Sequence, residues 1–162
     1  MNSFRLRIAN FILLFLLAGA AAKGANIIPQ PAYVQEKQGT FNIAHKGNIL
    51  YSGKQQEVNN IIKTFIEQVS QDYELNLQTD KSKKADILLL EKKSLGKEAY
   101  ELSVTSGRIT INASTPAGFF YGLRTLNQLI LSDSSYTSIP CIFVKDTPRF
   151  SYRGFLIDAG RY

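Results

Sequence analysis

Residues Tyr100 to Ala113 read Y-E-L-S-V-T-S-G-R-I-T-I-N-A, and the way this stretch pairs with itself decides the fold. Apolar and polar residues alternate on both sides of Ser106-Gly107, the period of a strand with one face buried. Folding about a two-residue turn there sets Val104 opposite Ile109, Leu102 opposite Ile111 and Tyr100 opposite Ala113. Ser103, Thr105, Arg108 and Thr110 then point the other way. The turn and the apolar pairing demand the same register, so an antiparallel hairpin is predicted over Tyr100 to Ala113.

Beyond the hairpin, Ser114 or Thr115 caps a helix whose first turn holds Pro116, where a missing amide proton costs nothing. Phe119, Phe120, Leu123, Leu126, Leu129 and Ile130 form its expected buried stripe. Gly118 and Gly122 bare backbone on one face, at roughly 1 kcal/mol each relative to alanine, and so admit a close neighbour. A polar loop, Ser132 to Ser138, leads to a last strand at Ile139 to Val144. Lys145 to Arg149 marks a boundary, because proline stops strand pairing and the composition turns polar.

Before the hairpin, Ala85 to Leu90 lacks alternation and reads as a central strand covered on both faces. The loop Lys81 to Lys84 precedes it. Val58, Ile61, Ile62, Phe65, Ile66, Val69 and Tyr73 recur at spacings of three and four, so a one-faced helix lies on a sheet. Its polar face mixes signs, which favours core packing over a membrane surface. Phe41 to Tyr51 alternates in part and predicts one or two short strands around a turn at Lys46-Gly47-Asn48. Ile27 to Gly39, with Pro29, Pro31 and Gly39, is expected to run extended and irregular. Together these elements predict an α+β two-layer sandwich, a mixed and mostly antiparallel sheet with helices packed on it.

The chain has 162 residues, enough for one domain of ordinary size, and its 44% hydrophobic and 20% charged residues are those of a globular protein. The formal charge is +6. Arg5 and Arg7 lie in the first 22 residues, so 17 basic residues face 13 acidic ones in the remainder, a net +4. The lysines are scattered over loops without a basic helix, which argues against nucleic acid as a partner. Cys141, the single cysteine, has no internal disulfide partner and reads as a small apolar residue in P-C-I-F-V. His45 is the single histidine and is expected at the surface near a turn, so no metal cluster is predicted.

Residues 1–22 have the three parts of a secretory signal. Arg5 and Arg7 give a positive start, Ile8 to Ala18 a mostly apolar core interrupted only by Asn10, and Ala20-Ala21-Ala22 a small-residue cleavage site. At roughly 1.5 Å per residue the core is short against about 30 Å of hydrocarbon, so removal is expected rather than a stable membrane anchor. The expected location is periplasmic or extracellular.

At the other end, Thr147 to Tyr162 reads T-P-R-F-S-Y-R-G-F-L-I-D-A-G-R-Y. Phe155 and Ile157 share one side of an extended chain, while Leu156 and Asp158 share the other. Two apolar faces suit a strand of a parallel α/β sheet or barrel. A charge at the end of such a strand needs a partner or a ligand, so Asp158 and Arg161 read either as a structural ion pair or as part of a site.

The pattern P-R-F-x-x-R-G-x-x-x-D-x-x-R resembles the opening of the catalytic barrel in family 20 glycoside hydrolases, the β-N-acetylhexosaminidases. Thr115 to Leu131 is similar to the G-x-x-Y-G-L-x-T-L-x-Q-L helix of that family's amino-terminal domain, and I-I-P-Q-P at Ile27 to Pro31 resembles its usual beginning. The resemblance implies a non-catalytic domain over residues 23–145, compared with zincin-like folds although H-E-x-x-H is absent. Residues 146–162 would then be the truncated first strand of a (β/α)8 barrel.

It further implies retaining hydrolysis of terminal non-reducing N-acetylglucosamine or N-acetylgalactosamine, with the substrate's acetamido oxygen as nucleophile. The acidic pair of the family's H-x-G-G-D-E type motif is not in this sequence, so no catalytic residue is assigned and the 162-residue chain is expected to be inactive. Arg153 matches the arginine that binds sugar hydroxyls in the cleavage subsite, a role suited to its fork of donors. Asp158 and Arg161 are expected to support the barrel's mouth, and Tyr162 stands where many relatives have histidine. No cofactor is implied. The alternative is a stand-alone carbohydrate-binding or interaction module; such modules usually present aromatic platforms, whereas this chain has no tryptophan and places most phenylalanines at core positions.

Overall fold

The hairpin forms in the register its turn requires. In the computed structural model, which describes residues 27–43, 46–131, 138–150 and 154, β4 (Tyr100–Thr105) and β5 (Arg108–Ala113) pair antiparallel. Tyr100 meets Ala113, Leu102 meets Ile111 and Val104 meets Ile109. Around them lie β1 (Tyr33–Asn42), β2 (Ile49–Tyr51), α1 (Gln56–Tyr73), β3 (Ile87–Glu91), α2 (Pro116–Leu131) and β6 (Ser138–Asp146).

The six strands form one sheet in the order β1-β6-β4-β5-β3-β2. Its three pairings from β1 to β5 are antiparallel. The pairings of β5 with β3 and of β3 with β2 are parallel, so the sheet is mixed and mostly antiparallel. A parallel joint requires a crossover, and α1 supplies the one between β2 and β3. Both helices bury their apolar stripes in one core with the sheet. Val58, Ile62, Phe65 and Val69 of α1 and Phe119, Leu123, Leu126 and Ile130 of α2 join Ile87, Leu89, Leu102, Val104, Ile109, Ile111, Ile142 and Val144. Each such side chain contributes about 1.5–3 kcal/mol by leaving water. Cys141 is buried, as an apolar residue would be.

Three differences from the expectation have physical causes. First, β1 begins at Tyr33, where an irregular run to Gly39 was expected. As an edge strand it exposes every residue but Phe41, so no alternation marks it, and its register with β6 shifts between Glu36 and Thr40, where Gly39 takes φ 98°. Second, β3 buries only Ile87 and Leu89 fully, whereas Leu88 and Leu90 are half-buried, because the helices cover one face of the sheet. Third, Phe120 is 44% exposed and does not belong to the buried stripe of α2.

Thr115 is the residue that caps α2, its hydroxyl oxygen accepting from the Gly118 amide at 3.4 Å. Ser114 instead donates its hydroxyl to the Gly96 carbonyl at 3.0 Å. The two glycines let α2 lie directly on the hairpin. A Cβ at Gly118 would meet the Ala99 carbonyl oxygen at 2.5 Å, and one at Gly122 would meet Ile111 Cγ2 at 2.7 Å. Backbone cannot swing aside as a side-chain tip can. Gly118→Ala should therefore lose about 1–3 kcal/mol to overpacking, more than the roughly 1 kcal/mol that alanine returns in helix propensity. A denaturation midpoint below wild type is the expected result, and an unchanged or higher one would show that the contact has room.

Candidate functional site

The leading segment, α2 and the end of β6 meet along one groove of about 520 Å³. Gln128 stands on the outward side of α2 and treats the leading segment as a strand would. Its Oε1 accepts from the Ile28 amide at 2.8 Å and its Nε2 donates to the Ile28 carbonyl at 2.8 Å. Asp146, the last residue of β6, accepts the Ala32 amide at 3.0 Å. Beneath them the hydroxyls of Tyr100 and Thr125 lie 2.6 Å apart. Burial pushes the Tyr100 phenol up to about 12, against the lowering effect of Thr125 and with a smaller push from the Asp146 charge. Ile28, Pro29, Tyr121, Arg124, Arg149 and Phe150 complete the walls. Gln128 and Asp146 are engaged with backbone, while Glu98, Arg124 and Arg149 bring charges of both signs to a groove that is otherwise largely apolar.

A second groove, about 210 Å³, runs between the helices beside Ile61, Phe65 and Phe120. Arg124 bridges the two helices by donating to Gln68 Oε1 at 2.7 Å, with its guanidinium 6.0 Å from the Phe120 ring centre. Elsewhere the polar clusters are structural. The Tyr51 hydroxyl and Gln55 Nε2 both donate to Glu91 Oε1 and hold its carboxyl below the usual range, while burial first and Glu91 second raise the Tyr51 phenol. Glu101, buried on the open face of the sheet, pairs with Lys92 at 2.8 Å and Lys145 at 4.0 Å.

Arg153, Asp158 and Arg161 lie outside the described residues, as do His45 and residues 1–22; of the stretch after Phe150 only the exposed Gly154 is described. Among the described residues no group of three or more His, Cys, Asp or Glu could hold a metal ion, and no helix is long and apolar enough to cross a membrane. Sequence reasoning missed Gln128 and Asp146 as ties on the leading segment. A signal existed for Gln128, since Arg124 and Gln128 are four residues apart and polar residues of that spacing share a helix side that faces away from a core.

Comparison with known proteins places this architecture. The sequence pattern of Glycosyl hydrolase family 20, domain 2, matches residues 24–147. A β-hexosaminidase of Vibrio furnissii is 41% identical over 78 residues, 48% of this chain and 13% of its own. A β-hexosaminidase of Porphyromonas gingivalis is 28% identical over 152 residues, 86% of this chain and 19% of its own. The fold is similar to that of the GH20 exo-β-N-acetylglucosaminidase of Vibrio harveyi solved in complex with N-acetylglucosamine, with a TM-score of 0.69 at 24% identity over 78% of this chain and 20% of that one. This chain thus spans less than a fifth of the length of these two curated relatives. With one domain pattern covering most of the sequence and the same fold beneath it, the chain belongs to glycosyl hydrolase family 20.

Proposed function

We propose that this chain is the amino-terminal part of an exported β-N-acetylhexosaminidase. The enzyme removes terminal non-reducing N-acetylhexosamine residues from glycans with retention, the substrate's own acetamido oxygen acting as nucleophile. The observation that carries the reading is the family match over residues 24–147, which ends where the P-R-F-x-x-R-G motif begins. In this reading residues 1–22 are a signal peptide that directs the protein to the periplasm or beyond the cell. Residues 23–145 are a non-catalytic sandwich akin to zincin-like folds, and residues 146–162 begin the catalytic barrel. Arg153 binds hydroxyls of the sugar to be cleaved, with Asp158 and Arg161 supporting the barrel's mouth. N-acetylglucosamine- or N-acetylgalactosamine-terminated glycans are the partners, and no cofactor is needed.

The family's H-x-G-G-D-E type acidic pair does not occur among these 162 residues, so the 162-residue chain is expected to show no hydrolysis of aryl N-acetyl-β-glucosaminides. Reading the nucleotide sequence past codon 162 and assaying the encoded longer polypeptide tests this. Turnover by the short chain, or none by a longer one that carries the barrel, would overturn the proposal.

A further inference from the structure

Lysines that stand far apart in the sequence come together on the open face of the sheet. Residues directly opposite one another in a sheet share a face, so two rows cross β1, β6 and β4 on the side away from the helices. One row is Tyr33, Lys145 and Glu101; the next is Gln35, Phe143 and Ser103. Three ammonium groups converge on these rows. Those of Lys92 and Lys145 lie 2.8 and 4.0 Å from the one carboxylate of Glu101, and that of Lys37 lies 5.7 Å from the centre of the Phe143 ring. The carboxylates of Glu91 and Asp146 sit on the helix side, opposite Ala113 and Tyr100 of the core. Lys92 and Lys145 stay roughly half exposed while they pair with Glu101, and Tyr33 is half exposed with its ring edge-on to Phe143. This end of the open face therefore presents an excess of positive charge beside an accessible aromatic ring.

We propose that this end of the open face is a non-catalytic binding surface for an acidic glycan, whose carboxylates meet Lys37, Lys92 and Lys145 and whose sugar rings lie along Tyr33, Gln35 and Ser103. Charge selects an anion, and the other residues select its carrier. Duplex nucleic acid and anionic membranes present dense charge and are met by more cations, roughly six to ten phosphate contacts in the first case and about four to eight clustered basic residues in the second. Three lysines around one glutamate match a polymer of sparse charge. An exposed aromatic ring offers an apolar face to the C–H side of a pyranose, and an amide and a hydroxyl can exchange hydrogen bonds with its hydroxyl groups. The choice of a glycan rests also on the hexosaminidase reading. In that reading the surface holds the body of a polymer whose terminal sugar is removed at the barrel.

Hyaluronan, in which glucuronate alternates with N-acetylglucosamine, is the probe, titrated against the 162-residue chain and against the polypeptide continued through the barrel. Both should bind it, less tightly as salt is raised. Both should bind a neutral chitin oligosaccharide, and poly-L-glutamate of equal charge, at least tenfold more weakly. Lys37→Glu combined with Lys145→Gln should weaken hyaluronan binding at least tenfold; Lys92 is left in place because it pairs with the buried Glu101. Lys63→Gln, an exposed charge on α1, should leave binding unchanged. Failure of both polypeptides to bind hyaluronan would overturn the proposal, as would equal weakening by Lys63→Gln. Poly-L-glutamate or the neutral oligosaccharide bound as tightly would overturn it too, and tighter capture by phosphatidylserine vesicles or duplex DNA would give the face to a membrane or a nucleic acid instead. Hydrolysis of an aryl N-acetyl-β-glucosaminide by the longer polypeptide reports on the enzyme reading separately, and the double variant should leave its kcat/KM unchanged. Hydrolysis without hyaluronan binding removes the surface and keeps the enzyme, whereas binding without hydrolysis keeps the surface and removes the activity.

Discussion

Asn48→Asp should lower the stability of the domain by about 3–5 kcal/mol, the range for a buried charge left without a partner. Asn48 is 3% exposed and heads β2, where it takes part in seven hydrogen bonds. Its side-chain nitrogen faces three carbonyl oxygens, those of Asp80 at 3.0 Å and of Lys83 and Lys84 at 3.2 Å. Its side-chain oxygen accepts the Asp80 amide at 2.9 Å, which settles the orientation of the amide. Its own amide donates to Asp86 Oδ2 at 2.7 Å, and its carbonyl accepts from Asp86 and Ile87. One residue therefore closes the loop of residues 79–86 and ties the heads of the parallel strands β2 and β3. Aspartate would keep the Asp80 contact but aim a carboxylate oxygen at three carbonyls. Asn48→Ala, which removes the donor without adding a charge, should lose less, about 2–4 kcal/mol from lost bonds and unpaired carbonyls. Urea unfolding of both variants checks the order; an aspartate variant as stable as the alanine variant would mean that the loop opens rather than bears the charge.

This residue also shows where the sequence stops being legible. The hairpin could be read because two independent constraints, turn and apolar pairing, are both local. The helices could be read because each buries a stripe of period 3.6, and only Phe120 was misassigned, since a phenylalanine beside a buried one looks buried to any pattern of apolarity. Asn48 read as a turn residue after Lys46-Gly47, because its partners lie 32 to 39 positions away and an amide's pairing leaves no period. A faint sign was present: N-I-L-Y at Asn48 and D-I-L-L at Asp86 place a short polar residue at the head of each strand that proves parallel. β1 escaped for the opposite reason. Its stability comes from backbone pairing with β6 and from an aromatic contact of Tyr33 with Phe143 at 6.2 Å, and neither imposes alternation on its sequence. The site residues divide likewise: Arg153 stands out by resemblance alone, whereas the ties made by Gln128 and Asp146 follow from a fold that brings positions 28 and 128 together.

In the polypeptide continued through the barrel, Arg153→Ala should lower kcat/KM for an aryl N-acetyl-β-glucosaminide at least tenfold. A guanidinium offers a planar fork of donors, and each charge-assisted bond to a sugar hydroxyl is worth roughly 1.5–3 kcal/mol, so loss of a single bond already exceeds the 1.4 kcal/mol of a tenfold change. Where those bonds form equally in ground and transition states, the loss is carried by KM with kcat unchanged; where they tighten as the ring distorts toward the oxocarbenium-like transition state, kcat falls as well. Arg153→Lys separates charge from geometry. A lysine keeps the cation but presents a point charge, so it should recover only part of the rate if the fork matters. Unfolding of the same variants distinguishes binding from support, since a structural Asp158–Arg161 strand end with Arg153 as a mere neighbour predicts lowered stability and an unchanged KM. Wild-type kinetics in Arg153→Ala would return the whole stretch from Thr147 to Tyr162 to that structural role.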